Sequence, residues 1–167
     1  HRSFRLSRSL ELLGSLFFSL SMQGSTISWV SMHREHHRHS DKKGDPHDPK
    51  TGLWRVHFMS MFYHPKIRYA LDLVRDGGHV NLHRFYWPLN IAFSFLCWLL
   101  FKWDGVLFGH LIPAALCWQG ISIAKTFAHL GGYRNFDTKD CSYNIPVLGY
   151  LTFGEAWHNN HHAQQKS

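Results

Sequence analysis

The chain alternates between clean apolar runs, mixed amphipathic stretches and histidine-rich polar segments. Residues 10–32 carry Leu12, Leu13, Leu16, Phe17, Phe18 and Leu20, interrupted by Ser15, Ser19, Ser21, Gln23, Ser25, Thr26 and Ser28. That length would reach across a bilayer, but the polar load predicts a helix lying in the membrane interface. Residues 51–84 are amphipathic and basic, with Trp54, Phe58, Met61, Phe62 and Tyr63 ahead of Arg68, Asp72, Arg75 and Arg84, and Gly77-Gly78 breaks the segment. Residues 85–102 are the first clean apolar run, with Tyr86 and Trp87 as an aromatic belt and Pro88 near the first turn. Trp103-Asp104-Gly105 reads as a polar turn, and residues 106–128 form a second apolar run containing His110, Pro113, Gln119, Ser122 and Lys125. Spans near 85–102 and 106–128 predict a transmembrane helical hairpin that returns the chain to the side it left.

Two polar segments flank that hairpin and share one pattern, H-x-x-H-H: His33-Arg34-Glu35-His36-His37 and His158-Asn159-Asn160-His161-His162. On a helix, positions i, i+3 and i+4 share a face, so each triplet can aim three imidazoles at one point. Neutral imidazole is the commonest metal ligand among side chains. Random placement of 15 His among 167 residues gives about 0.1 such triplets, so two copies point to a metal site. A His-rich solvated tract would account for 33–39 alone but not for a second copy. If both triplets serve one site, an even number of spans must separate them, and the hairpin supplies two. The turn-rich Gly44-Asp45-Pro46-His47-Asp48-Pro49 follows the first triplet. His39 and His47 read as supporting or surface residues. His57, His64, His79 and His83 read as surface or structural histidines.

Composition narrows the picture further. The chain has 18 Lys+Arg against 11 Asp+Glu, 16% aromatic residues and 7 Trp. A basic balance suits nucleic acid, a membrane surface or an anionic substrate, and the aromatic load fits a protein at a membrane interface. Arg2, Arg5 and Arg8 at helical spacing read as a solvated face or as a contact with an anionic surface. Lys and Arg lie mostly before or after the hairpin, which puts the histidine-bearing face in the cytoplasm by the positive-inside rule. Cys97, Cys117 and Cys141 are far apart and suggest neither a disulfide framework nor a thiolate zinc site. The length suits a single domain, 1–167. The chain reads as a fragment truncated at both ends.

These residues resemble the membrane fatty acyl desaturases of the stearoyl-CoA and acyl-lipid delta-9 type, in a bacterial-like form. His1-Arg2-Ser3-Phe4 resembles the end of the family's first histidine box. The segment from His33 to His37, with His39-Ser40-Asp41 and Asp45-Pro46-His47, resembles the second box. Gly132 to Thr138 looks like a segment of bacterial members, and Gly154-Glu155-Ala156-Trp157 with the second triplet resembles the third box. The resemblance implies an all-α integral membrane domain with a cytoplasmic, histidine-lined di-metal cap. Its ligands would be His1, His33, His36, His37, His129, His158, His161 and His162, holding two Fe ions. His129 enters through the family's N-x-x-x-H pattern, whose Asn is Lys125 here.

Imidazole sites in general accept Zn, Cu, Ni or Fe; iron comes from the resemblance. Asn159, Asn160, Glu35 and Asp41 are expected to orient imidazoles, with plain solvent exposure the alternative for the two asparagines. The implied reaction is oxygen-dependent removal of two hydrogens from adjacent methylenes, making a cis double bond, with two external electrons. Expected partners are an acyl substrate on CoA, acyl carrier protein or lipid, an electron donor such as ferredoxin or cytochrome b5, and membrane lipid, with no nucleic acid. The membrane would be a bacterial inner membrane, or endoplasmic reticulum or plastid membrane in a eukaryote. Competing readings are a histidine-box hydroxylase acting on an alkane, carotenoid or sphingolipid, and a degenerate metal-binding homologue.

Overall fold

The computed structural model describes His1 and residues 5–166, the side chains of Ser60 and Met61 aside. Arg2, Ser3 and Phe4, the tail of the first histidine motif, lie outside the described residues. The described residues are helical and contain no strand; Tyr133, Asn144 and Trp157 form only isolated bridges. The contacts divide the chain into two compact units. One comprises Leu6–Met32 and His64–Trp118, the other His1–Arg5, His33–Tyr63 and Gln119–Ser167.

In the first unit the mixed run 10–32 is two helices, not one. α1 (Arg8–Leu20) ends before Met22 and Gly24, both at positive φ, and α2 (Thr26–His39) starts afresh and carries the first triplet in its second half. Gly77-Gly78 opens a helix where the sequence pattern suggests a break. After the single turn α4 (Leu71–Val74), Asp76 caps α5 (Gly77–Arg84) by accepting from the amides of Gly78 and His79. The Asp76 carboxylate also pairs with Arg8, Arg8 pairs with Glu11 at 3.1 Å, and Glu11 reaches the buried His79 at 3.3 Å. This chain of polar groups ties the start of α1 to the start of α5.

The apolar helical stretch Tyr86–Phe127 reverses on itself. α6 (Tyr86–Val106) leaves helical geometry at Lys102 (φ 55°, ψ −142°). Trp103-Asp104-Gly105, read from sequence as the turn, is already in the returning leg. Gly105 makes this possible, because any Cβ there would overlap the Cys97 carbonyl oxygen. A π-helical segment (Leu107–Leu111) precedes α7 (Ile112–Phe127) and turns His110 inward.

His110 Nε2 donates to the Leu20 carbonyl at 3.0 Å, and its Nδ1 accepts from the Ser94 hydroxyl at 2.7 Å. The buried Asn90 amide donates to the Ser19 and Tyr86 carbonyls. The polar groups of Asn90, Ser94 and His110 are thus satisfied within the protein. Its apolar side chains face outward, with Ile91, Leu100, Phe101, Phe108 and Leu116 all about two-thirds exposed.

The second unit gathers the end of α2, α3 (Leu53–Phe58), the end of α7, α8 (Pro146–Leu151) and α9 (His158–Ala163). Two buried asparagines organise the loop between α7 and α8. Asn159 accepts from the Asn135 and Phe136 amides, both at 2.9 Å, and donates to the Phe136 carbonyl at 3.0 Å. Asn144 donates to Asn160 Oδ1 and accepts from its amide. His57 bridges Gln119 and Thr126.

Candidate metal centre

The eight histidines singled out in the sequence form two groups of four. His1, His33, His37 and His161 make a half-buried cluster; His36, His129, His158 and His162 make a buried one. Each triplet is therefore divided between the groups instead of serving one point. The reason is angular. At about 100° per residue, i and i+4 lie about 40° apart, whereas i+3 stands about 60° to the other side of i. His33 and His37 turn to one cluster and His36 to the other; His158 and His162 turn to one and His161 to the other.

In the half-buried cluster Nε2 faces Nε2 throughout: His1–His33 at 2.8 Å, His37–His161 at 2.9 Å, His33–His37 and His33–His161 at 3.2 Å. In the buried cluster the facing Nε2 pairs are His129–His158 at 2.9 Å and His36–His162 at 3.2 Å. The clusters abut, with the His37 and His162 ring centroids 4.5 Å apart.

Carboxylates hold the outer nitrogens of two buried imidazoles, and a third carboxylate lies against another. His36 Nδ1 donates to Asp45 Oδ1 at 2.7 Å, His162 Nδ1 donates to Asp140 Oδ2 at 2.8 Å, and His129 Nδ1 lies 3.1 Å from Asp41 Oδ1. A carboxylate only accepts, so it fixes the proton on Nδ1 and turns the Nε2 lone pair inward. In the His36–His162 pair, where both rings are held this way, two lone pairs converge at 3.2 Å with no proton to share and repel one another unless a cation lies between them. Nitrogens about 2.1 Å from a common ion stand roughly 3.0–3.4 Å apart, for right-angle and tetrahedral arrangements respectively. The donor set fits one metal ion per cluster.

Electrostatics agree. Burial, then the charges of neighbouring imidazoles, pushes His33 and His158 well below the ordinary histidine range, and burial brings His161 down to about 4. These rings are neutral near pH 7, the form that binds metal. Burial alone would push the Asp140 carboxyl up, but hydrogen bonds from His162, Ser142 and Thr138 hold it well below the usual carboxylate range. Asp41 is lowered in the same way, against burial, by His129 and the Cys141 amide.

The remaining expected residues fall around this centre. Glu35 is fully buried and accepts from the Tyr63 hydroxyl at 2.8 Å. Asn159 and Asn160 direct their side chains to the 135–138 loop and Asn144, fixing the loop that carries Asp140. Lys125 is half-buried, and its charge acts on Glu155 and His47. His47 is buried, with its ring 5.3 Å from that of His36. Asp45 and Asp140 were not anticipated as imidazole partners. Asp45 stood within the recognised Asp-Pro-His tail, whereas nothing local marks Asp140, whose partner is 22 residues away.

Paired all-imidazole clusters in a helical protein with an exposed apolar hairpin form a site that could hold two metal ions. Comparison with known proteins narrows that class. The model of the family described as fatty acid desaturase matches residues 1–166. The chain is 36% identical over 171 residues to the sn-2 palmitoyl-lipid 9-desaturase of Nostoc sp. (strain 36), covering 97% of this chain and 60% of the relative. It is 36% identical over 172 residues to the sn-1 stearoyl-lipid 9-desaturase of Anabaena variabilis, covering 100% and 63%. It is 33% identical over 174 residues to Delta-9 acyl-lipid desaturase 2 of Arabidopsis thaliana, covering 100% and 57%. The chain belongs to the fatty acid desaturase family. It spans about three-fifths of the length of these relatives.

Proposed function

We propose that this chain carries the metal centre of an oxygen-dependent fatty acyl desaturase that places a cis double bond at the ninth carbon of an acyl chain esterified in a membrane lipid. The observation that carries the reading is the pair of abutting four-imidazole clusters with every Nε2 turned inward. The relatives' names supply the substrate class and the bond position. His1, His33, His37 and His161 would hold one iron ion, and His36, His129, His158 and His162 the other. When bound, the two ions supply the redox chemistry by which an acyl chain loses two hydrogens while oxygen, two external electrons and two protons become water.

The protein's own contribution is positional. Asp45 and Asp140 keep protons on Nδ1 of His36 and His162 and so keep their Nε2 lone pairs free, and Asp41 lies 3.1 Å from His129 Nδ1. All-neutral ligands leave the ions' charge uncompensated within the coordinating shell, which favours an electrophilic centre. Burial of His36, His129, His158 and His162 keeps bulk water from that half of the centre. Electrons would come from a small donor of the ferredoxin or cytochrome b5 kind. The exposed apolar hairpin would sit in lipid, with the histidine clusters on the cytoplasmic face.

The test is expression of the full-length gene in a desaturase-deficient host, with fatty acids profiled by double-bond position. Delta-9 monounsaturated lipids should appear, and His36→Ala and His161→Ala should abolish them with loss of iron. A hydroxylated product would replace this reading with a hydroxylase; retained desaturation in either variant would refute the ligand assignment.

A further inference from the structure

The two clusters differ in ways that the symmetry of the histidine motifs hides. In the buried cluster, His36, His129, His158 and His162 are each less than a tenth exposed; two of the four rings donate to a carboxylate from the outer nitrogen, and a third has a carboxylate 3.1 Å from it. Those carboxylates are themselves held. Asp45 also accepts from the Asp41 and His47 amides, both at 2.8 Å. Asp41 accepts from the Cys141 amide, and Asp140 accepts from Ser142 and Thr138. The four residues of the other cluster are each only partly buried, and His37 Nδ1 lies 3.2 Å from the side-chain amide of Gln165.

We infer that the buried cluster holds its metal ion at least tenfold more tightly than the half-buried one, with Asp41, Asp45 and Asp140 as the positioning residues that create the difference. The inference rests on the di-metal reading above. Two physical effects act together. A carboxylate on Nδ1–H raises the basicity of Nε2 and locks the ring, and loss of one such partner typically weakens metal binding about 10–100-fold. Three fixed anions in a water-poor setting also attract the cation at lower effective dielectric than bulk water provides. The consequence is ordered exchange: the ion held by His1, His33, His37 and His161 enters last and leaves first.

The experiment uses full-length protein in lipid nanodiscs, loaded anaerobically with ferrous iron and equilibrated against increasing concentrations of a ferrous chelator. Iron per chain is the readout, independent of turnover. Two one-ion steps at least tenfold apart are expected. His161→Ala should remove the weaker step and His158→Ala the tighter one. Asp140→Asn and Asp45→Asn should move the tighter step about 10–100-fold towards lower chelator and leave the weaker step in place, and Asp140→Glu should recover part of the shift. A single step releasing both ions overturns the inference. So does an Asp140→Asn variant in which both steps move equally, since that reports general damage to the fold. Fewer than two ions per wild-type chain at saturating iron refutes the di-metal reading itself and is recognisable as a different failure.

Discussion

At the scale of single residues, the chemistry was legible where spacing along one helix decides it, and illegible where a partner arrives from elsewhere in the chain. The six triplet histidines needed only helical periodicity to be found. Their division between two clusters follows from the same periodicity once the 40° and 60° offsets are taken seriously. Asp140 has no such local signature: its bond to His162 depends on how Asn159 and Asn144 fold the intervening loop. Lys125 is legible as a departure from the family's Asn but not in its surroundings, since Glu155 lies 30 residues on. Replacing Lys125 with Asn removes a positive charge one helical turn before His129 and leaves Glu155 without its counter-charge. Both changes make the potential at the clusters more favourable to cations. Lys125→Asn should therefore raise iron affinity on the order of tenfold, as expected for one charge near an ion at intermediate dielectric. Iron per chain at limiting iron measures this, and a fall in occupancy would mean that Lys125 is an adapted part of the centre.

At the scale of elements, the apolar run lengths located the hairpin legs, and the details of the reversal came from packing. Gly105 was read as part of a polar turn because Trp-Asp-Gly has turn composition. The structure uses it for close approach, setting the returning leg against the backbone of Cys97. The polar residues inside the runs, Asn90, Ser94 and His110, look like flaws in a span until the reversal brings them together and the end of α1 supplies two carbonyl acceptors. Gly105→Ala tests the contact. Its Cβ would meet a backbone oxygen that cannot rotate away, so the legs must separate, at a cost of about 1–3 kcal/mol as for other overpacked contacts. Thermal unfolding in nanodiscs should show a lower midpoint, with iron per chain unchanged at temperatures where the variant is folded. Gly14→Ala, where an added Cβ meets nothing within 4 Å, should leave the midpoint unchanged or higher.

At the scale of the whole molecule, the contacts form two compact units threaded through non-contiguous segments. Such threading leaves no boundary in the sequence to read. Membrane association follows from the family and from the exposed apolar hairpin, whose orientation is a separate, testable question. Tyr86 to Phe101 makes about 24 Å of helix, somewhat less than a hydrocarbon core of about 30 Å. The leg is flanked by Arg84, whose guanidinium lies over Phe85, and by Lys102, whose ammonium lies over the Trp98 ring at 4.6 Å. Both are amphipathic side chains able to reach the interface from within the core edge. If the hairpin crosses fully, its tip is exposed on the far side, whereas a re-entrant loop would keep the tip buried or return it to the near side. α1, with Leu10, Leu13 and Phe17 exposed along one stripe, suits the interface and not a crossing. Single cysteines placed at Ser7, Lys42 and Asp104, in a background lacking Cys97, Cys117 and Cys141, separate these arrangements in sealed vesicles. Ser7→Cys and Lys42→Cys should react with an impermeant maleimide from the same, cytoplasmic side, and Asp104→Cys only from the opposite side. Labelling of Ser7→Cys and Lys42→Cys from opposite sides would make the 8–20 region a crossing, and labelling of Asp104→Cys from the cytoplasm would make the hairpin re-entrant.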